Sequence, residues 1–325
     1  MQPLSLGKLR GFQQCTSAGG IFTCLALDHR QNLRKALNPS NPDSVTDEDL
    51  TRFKMDVTSA LADMSTAVLL DPEYGAGQAI ASGVLPAGTG LVVALESTGY
   101  TGDPTARQSQ ILPGWSVEKT KKTGASMAKL LVYYHPDSPT AHEIEQFVKQ
   151  IADECRQYDL GLMLEPLSYS LDPASKSLPS SEKRRVVVET ARRLTPLGVD
   201  LLKAEFPLDV TEDQDETSWR QSCTDISSAS QTPWILLSAA VDFENFLRQV
   251  DIACDAGASG IAVGRAVWKE AVSLSREARN DFLVTTARQR LVELHDLCKA
   301  KAKPFIEFYS QPPVKTDWYK QYGQP

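Results

Sequence analysis

The chain has 325 residues, 42% of them apolar and 23% charged, so it can bury a large core as one or about two soluble globular domains. Its net charge of −7, from 34 Lys and Arg against 41 Asp and Glu, argues against non-specific nucleic-acid binding, because there is no basic excess to displace counterions. An anionic ligand would need a local positive pocket instead.

No apolar run reaches membrane length, and the N-terminus lacks the basic, apolar, small-residue order of a secretory signal. The six cysteines (Cys15, Cys24, Cys155, Cys223, Cys254, Cys298) form no CxxC pair, and His29, His135, His142 and His295 are scattered. A zinc site is therefore not expected, and a reducing, cytoplasmic compartment is the default.

In chain order, residues 1–20 read as a short helix and a Ser/Gly turn. Ile21–Asp28 is the first apolar strand and runs into His29-Arg30. Thr46, with acids just after it, opens a helix to about Met64. Ala67–Asp71 and Gly90–Glu96 are the second and third strands, and each ends in a carboxylate. Gly99–Gly114 reads as a long polar loop, of a length that is usually functional or disordered. Met127–Tyr134 is the fourth strand, with Lys129 inside it, and Thr140–Asp159 is an amphipathic helix.

Leu160–Leu167 is the fifth strand and carries Glu165. The sixth is the short apolar stretch around Lys203, closed by Pro207. Pro233–Ala240 is the seventh, followed by a helix over Phe243–Ala256. Gly260–Gly264 is the eighth and runs into Arg265. The chain is then helical to about Lys303. The Pro- and aromatic-rich end, 304–325, reads as an arm on a single domain of residues 1–303, able to pack on a neighbouring subunit.

Eight short apolar strands alternating with helices spell a parallel (β/α)8 barrel of the TIM type. A doubly wound sheet is the alternative, but the turn after the first strand has no Gly-rich phosphate fingerprint. In a barrel of this kind the site lies at the C-terminal strand ends, here Asp28, Asp71, Glu96, Lys129, Glu165, Lys203, Ser238 and Arg265. Asp71 and Glu96 are readily explained as the first polar residues after a strand. Lys129 and Lys203 are not, because they sit within apolar runs.

A lysine desolvated in such a run, beside a second cation, has its pKa lowered and can attack a carbonyl as a free amine. The plain alternative is a lysine that snorkels to solvent or pairs with Glu205. Glu165 suits acid/base work, and Asp28 can hold a lysine or polarise a hydroxyl. The loops after strands seven and eight offer Ser238, Ala239, Gly264 and Arg265 to a phosphate. His29 and Arg30 are the next candidates for a second anionic group.

The segments ALDHR (26–30), LLDPEYG (69–75), ESTGY (96–100), AKLLVYYHPD (128–137), LEP (164–166), LLKAEFP (201–207), PWILLSAAVD (233–242) and AGASGIAVGRAVW (256–268) run in order along nearly the whole chain. On them the chain resembles the class I tagatose-1,6-bisphosphate aldolases and the related sulfofructose-1-phosphate aldolases. The resemblance implies Lys203 as the Schiff-base lysine, Glu165 as acid/base, Lys129 and Asp28 as polar partners, and Ser238 and Arg265 in a phosphate site. It also implies a metal-free, cofactor-free enzyme acting on a sugar phosphate; a homo-oligomer is expected separately, with the C-terminal arm able to pack on a neighbouring subunit. One departure is Ala240, where the family often has Gly; its methyl would narrow the phosphate loop. A transaldolase-type transferase and a non-catalytic phosphosugar sensor are the competing functions.

Overall fold

A computed structural model describes residues 3–175, 177–320 and 322–323 of the chain. Residues 321, 324 and 325 of the expected arm lie outside the described residues. The fold is built on a closed barrel of eight parallel strands: β1 (Phe22–Leu27), β2 (Ala67–Leu70), β3 (Gly90–Ala94), β4 (Met127–Tyr133), β5 (Gly161–Leu167), β6 (Leu201–Ala204), β7 (Trp234–Leu237) and β8 (Gly260–Val263). Consecutive strands are neighbours throughout. β8 pairs with β1 in the register Phe22↔Gly260 to Leu25↔Val263, which closes the ring. The expected (β/α)8 architecture is what forms.

The strands are buried on both faces, as a helix-covered parallel barrel requires. Their inward side chains, among them Cys24, Leu69, Val92, Met127, Met163, Leu201, Ile235 and Ala262, form the barrel interior. Outward residues such as Leu25, Val68, Leu130 and Leu236 pack under the helices. Thr46 caps the helix Asp47–Leu61 with a reciprocal pair: its hydroxyl accepts from the Asp49 N–H, and Asp49 accepts from the Thr46 N–H.

The N-terminal mouth of the barrel is plugged. Phe12, from the helix Leu6–Cys15, meets Phe22 edge-on at 5.7 Å and Phe305 at 5.0 Å. The segment after Lys303 packs on this floor: the Phe305 N–H donates to the Gly20 carbonyl, and the Tyr309 hydroxyl donates to the Asp200 carbonyl at 2.5 Å. The buried pair Lys8–Asp200, at 2.8 Å, lies in the same floor. With this end closed, the cavity that matters opens at the C-terminal ends of the strands.

Two expectations need correction. The stretch 99–114 is not a plain loop, since Thr101–Asp103 and Ala106–Gln108 pair as an antiparallel hairpin. Gly102, at φ +83°, permits its tight geometry. The C-terminal helical region is also interrupted, by a 3-10 segment at Lys269–Ser273 and a π turn at Leu283–Ala287 before the helix Arg288–Lys301. Among the described residues, no helix is long and apolar enough to cross a membrane.

Candidate active site

Period-2 alternation puts Met127, Lys129, Leu131 and Tyr133 of β4 on one face. Met127 reaches the closed floor, while Lys129, Leu131 and Tyr133 line a cavity of about 310 Å³ at the open mouth. The same cavity is lined by Asp28, His29, Arg30, Glu96, Glu165, Lys203, Ser238, Ala239, Gly264 and Arg265. Apart from Asp71, the residues expected at the strand ends reach this one cavity, from seven strands that are far apart in sequence.

Lys129 is wholly buried, and three carboxylates converge on its ammonium: Asp28 at 2.7 Å, Glu96 at 2.6 Å and Glu165 at 2.9 Å. Burial alone would favour the neutral amine. The three carboxylates outweigh it and hold the Lys129 pKa well above the ordinary value. Lys129 is thus a fixed cation and not a nucleophile. Asp28 is held well below the usual carboxylate range, because Lys129 and then Lys203 overcome the effect of burial. Glu165 moves down for the same reason, against burial and the opposing Asp28 charge.

Lys203 is 4% exposed, and its amine lies 2.8 Å from the Glu165 carboxylate. Glu165 therefore stands between two lysines, one locked in a charged cluster and the other open to the cavity. Glu205, the local partner expected under the plain reading, also lines the cavity, but its carboxylate accepts from the Ser168 N–H at 2.6 Å and Lys203 pairs with Glu165.

Opposite these groups, the Gly264 N–H donates to the Ser238 hydroxyl at 3.2 Å, joining the loops after β7 and β8. Arg265 extends beside them. Its buried Nε has no hydrogen-bond partner among the described residues, and burial draws its pKa down against the pull of Glu165 and Asp28. An arginine keeps its charge even so. An unpaired guanidinium next to a hydroxyl and a glycine backbone is suited to an oxyanion.

Deep apolar barrel strands, a buried amine with a carboxylate at contact distance and an unpaired arginine across the cavity make up the chemistry of carbonyl addition on a phosphorylated substrate. Residues 22–270 match the family model described as DeoC/LacD family aldolase. The chain belongs to the DeoC/LacD family of aldolases. This aldolase is 30% identical to the tagatose 1,6-diphosphate aldolase of Staphylococcus haemolyticus, over 91% of this chain and 96% of the relative. It is 31% identical to tagatose 1,6-diphosphate aldolase 2 of Enterococcus faecalis, over 93% and 96%.

Two solved structures share the aldolase's fold. One is an archaeal fructose-1,6-bisphosphate aldolase with its catalytic lysine bound to a carbinolamine intermediate, with a TM-score of 0.57 and 23% identity over 88% of this chain and 99% of that one. The other is the fructose-bisphosphate aldolase of Plasmodium falciparum, with a TM-score of 0.68 and 15% identity over 93% and 98%.

The aldolase departs from the sequence expectations at four places. Glu96, which had an ordinary explanation as a strand-end residue, is a member of the Lys129 cluster, and its second oxygen accepts from the Leu131 N–H at 3.0 Å. Asp71 is outside the cavity, fully buried against Lys54. Arg30 lines the cavity, but its guanidinium is committed to Glu73 at 2.7 Å and to the Glu96 carbonyl at 2.6 Å, which leaves it poorly placed for a ligand anion. Finally, the loop after β7 takes its left-handed residue at Ala239, φ +47°, whereas Ala240 is exposed and outside that region. The methyl of Ala240 does not narrow the cavity.

His29 is also not a cation. Burial, with Arg265 and Lys203 nearby, lowers its pKa to about 4 despite Asp28, and its ring meets Trp268 edge-on at 5.3 Å. Asn32, Ser97, Thr98, Gly99, Leu131 and Tyr133 line the cavity as well and were not singled out from sequence. The alternation from Lys129 was a usable signal for Leu131 and Tyr133, and adjacence to Glu96 was one for Ser97.

Proposed function

We propose that this protein is a class I aldolase that cleaves a ketose phosphate, of the tagatose 1,6-bisphosphate type, to dihydroxyacetone phosphate and an aldehyde. The observation that carries the reading is the 2.8 Å contact between the buried Lys203 amine and Glu165 on the wall of a cavity whose other side holds the unpaired Arg265. The alternative aldehyde is 3-sulfolactaldehyde, from a sulfofructose 1-phosphate. The same site also suits a transaldolase-type transfer.

In this mechanism Glu165 first takes a proton from Lys203 across the 2.8 Å contact, and Lys203, now the free amine, adds to the ketose carbonyl at carbon 2 while an N–H proton moves to the former carbonyl oxygen. Glu165 then gives its proton to the carbinolamine hydroxyl, which leaves as water, and an iminium remains. A carboxylate then takes the proton of the carbon-4 hydroxyl. The carbon 3–carbon 4 bond breaks, its electron pair moves into the iminium to form an enamine, and the aldehyde departs. Protonation at carbon 3 and hydrolysis return Lys203 and release dihydroxyacetone phosphate. In the resting site Lys129 holds Asp28 and Glu165 ionised, so that Glu165 is ready to accept the Lys203 proton. The carbon-1 phosphate rests on Ser238, Ala239, Gly264 and Arg265.

The six buried, unpaired cysteines support a reducing, cytoplasmic setting. Exposed Ile306, Val314, Trp318 and Tyr319 on the arm 304–325 support a homo-oligomer of single-domain chains. Sedimentation as a monomer would remove that part of the reading.

Borohydride reduction in the presence of dihydroxyacetone phosphate tests the chemistry. The expected product is a stable adduct on the peptide containing Lys203, absent from Lys203→Ala. An adduct on another lysine, or full labelling of Lys203→Ala, overturns the assignment. Release of free dihydroxyacetone phosphate without any acceptor aldehyde separates the lyase from the transferase.

A further inference from the structure

Three of the Lys and Arg side chains that line the cavity have a part in the chemistry. Lys129 holds three carboxylates, Lys203 contacts Glu165, and Arg265 stands beside Ser238 and Gly264. Arg30 is the fourth. It is 6% exposed and directs its guanidinium at the protein itself.

A guanidinium next to a carboxylate commonly gives it two parallel bonds. Arg30 splits its fork instead. One terminal nitrogen donates to the Glu73 carboxylate at 2.7 Å, and the other donates to the main-chain carbonyl of Glu96 at 2.6 Å. Glu73 follows β2 and Glu96 follows β3, so a single side chain from the loop after β1 ties three consecutive strand ends together.

Both anchors are themselves fixed. The turn that carries Glu73 is held by Asp71, which accepts from the Tyr74 N–H at 2.8 Å and pairs with buried Lys54. Glu96 lies two residues beyond β3, next to Leu95, whose N–H donates to the Lys129 carbonyl at 2.9 Å. The Glu96 carboxylate accepts from the Lys129 ammonium at 2.6 Å and from the Leu131 N–H at 3.0 Å. Those two bonds come from β4, and the bond from Arg30 comes from the other side of β3.

The segment 28–30 therefore acts on Lys129 twice. Asp28 reaches its ammonium directly at 2.7 Å, and Arg30, two residues on, reaches it through Glu96. If Glu96 slips, the ammonium is left with Asp28 and Glu165. Glu165 is then drawn toward Lys129 and off its 2.8 Å contact with Lys203.

We propose that Arg30 is a positioning residue: by holding the end of β3 it sets Glu96 against Lys129, and so keeps Glu165 in place to exchange its proton with Lys203. This rests on the aldolase reading above. Arg30 acts through Glu96 and not on the substrate. A shift of about 1 Å at a proton-transfer contact slows the step by up to roughly a hundredfold and leaves the phosphate contacts alone.

The test is a double-mutant cycle with Arg30→Gln, Glu96→Gln and the pair. It is run on whichever of tagatose 1,6-bisphosphate and sulfofructose 1-phosphate the wild type cleaves faster. Arg30→Gln is expected to lower kcat roughly ten- to a hundredfold, with KM and the inhibition constant of inorganic phosphate unchanged to within about threefold. The double variant should lose little more than the worse single one, because both changes remove the same contact. Arg30→Lys keeps the charge and one of the two bonds, so it should recover part of kcat, and it carries the same cycle if Arg30→Gln does not fold. Losses that multiply in the double variant overturn the proposal. So does an unchanged kcat with a raised KM, which makes Arg30 a ligand for the substrate. Wild-type trapping with dihydroxyacetone phosphate and borohydride separates the two readings. An adduct together with multiplying losses sinks the Arg30 role alone, whereas no adduct sinks the aldolase reading and this proposal with it.

Discussion

The Lys129 ammonium lies 2.9 Å from the Glu165 carboxylate, which in turn lies 2.8 Å from Lys203. One carboxylate thus links a lysine whose charge is fixed to a lysine that faces the cavity. Lys129 carries the balance for three acids, so its removal has consequences of definite sign.

Lys129→Met should raise the pKa of Glu165, because the strongest charge that opposes burial is gone. The acid limb of the kcat/KM profile is expected to move to higher pH. The pH dependence of stability should change sign as well. In wild type the depressed Asp28 and Glu165 contribute stability that is present above their unfolded pKa values and lost as pH falls through the folded ones. In the variant, buried Asp28 and Glu165 without the Lys129 charge bind protons more readily folded than unfolded, so the protein gains stability as pH falls from 7 toward 5. Urea melts at several pH values read this directly. A variant that loses stability on acidification like wild type would sink the account of the cluster.

Arg265→Ala removes the unpaired guanidinium from the Ser238–Gly264 side of the cavity. Loss of a charge-assisted contact to phosphate costs about 2–4 kcal/mol, roughly a thirtyfold to thousandfold drop in kcat/KM. An unphosphorylated ketose should lose little, because Lys203 and Glu165 are untouched. Equal losses on both substrates would make Arg265 a structural residue.

Lys54 and Asp71 form a fully buried pair beneath the site, and the Lys54 ammonium also donates to the Leu27 carbonyl at 2.7 Å, next to Asp28. Lys54→Met strands a buried carboxylate and is expected to cost about 3–5 kcal/mol. The double variant Lys54→Met/Asp71→Leu should recover most of it, as apolar replacement of a buried pair often does. Denaturant midpoints at constant m decide the matter. If the double variant is as unstable as the single, the loss is one of packing and not of charge.

Gly260 begins β8 at φ +131°, and a Cβ there would lie 1.9 Å from the Phe22 carbonyl oxygen of β1. Gly257 is also at positive φ, +105°, but a Cβ there meets only the Ser227 hydroxyl, at 3.1 Å. Gly260→Ala therefore pays for backbone strain and for separating the two strands that close the ring, and Gly257→Ala pays mainly for strain. The first should yield little folded protein, while the second should fold with a lowered melting temperature. Similar thermal losses for both would show that the close approach of β1 and β8 is not what requires Gly260.

Local sequence determined the barrel, because a period of two in short apolar runs and a longer period between them are properties of adjacent residues. It also marked Lys129, Glu165 and Lys203, since an ionisable group within an apolar run is recognisable without any knowledge of its neighbours. The partners of those groups were decided only when the strands came together. Asp71 and Glu96 are indistinguishable in sequence, each a carboxylate closing a strand. Asp71 meets Lys54 from a covering helix, and Glu96 meets Lys129 from the adjacent β4. Arg30 looked like a ligand for an anion until the fold set Glu73 and the Glu96 carbonyl against it. The hairpin at 101–108 lacks a strong apolar alternation, and its Arg107 takes its surroundings from Tyr100, Tyr133 and Tyr169 on three separate elements. Periodicity is a local quantity. The field at a charged group is a sum over neighbours from distant parts of the chain, and only the folded barrel assembles that sum.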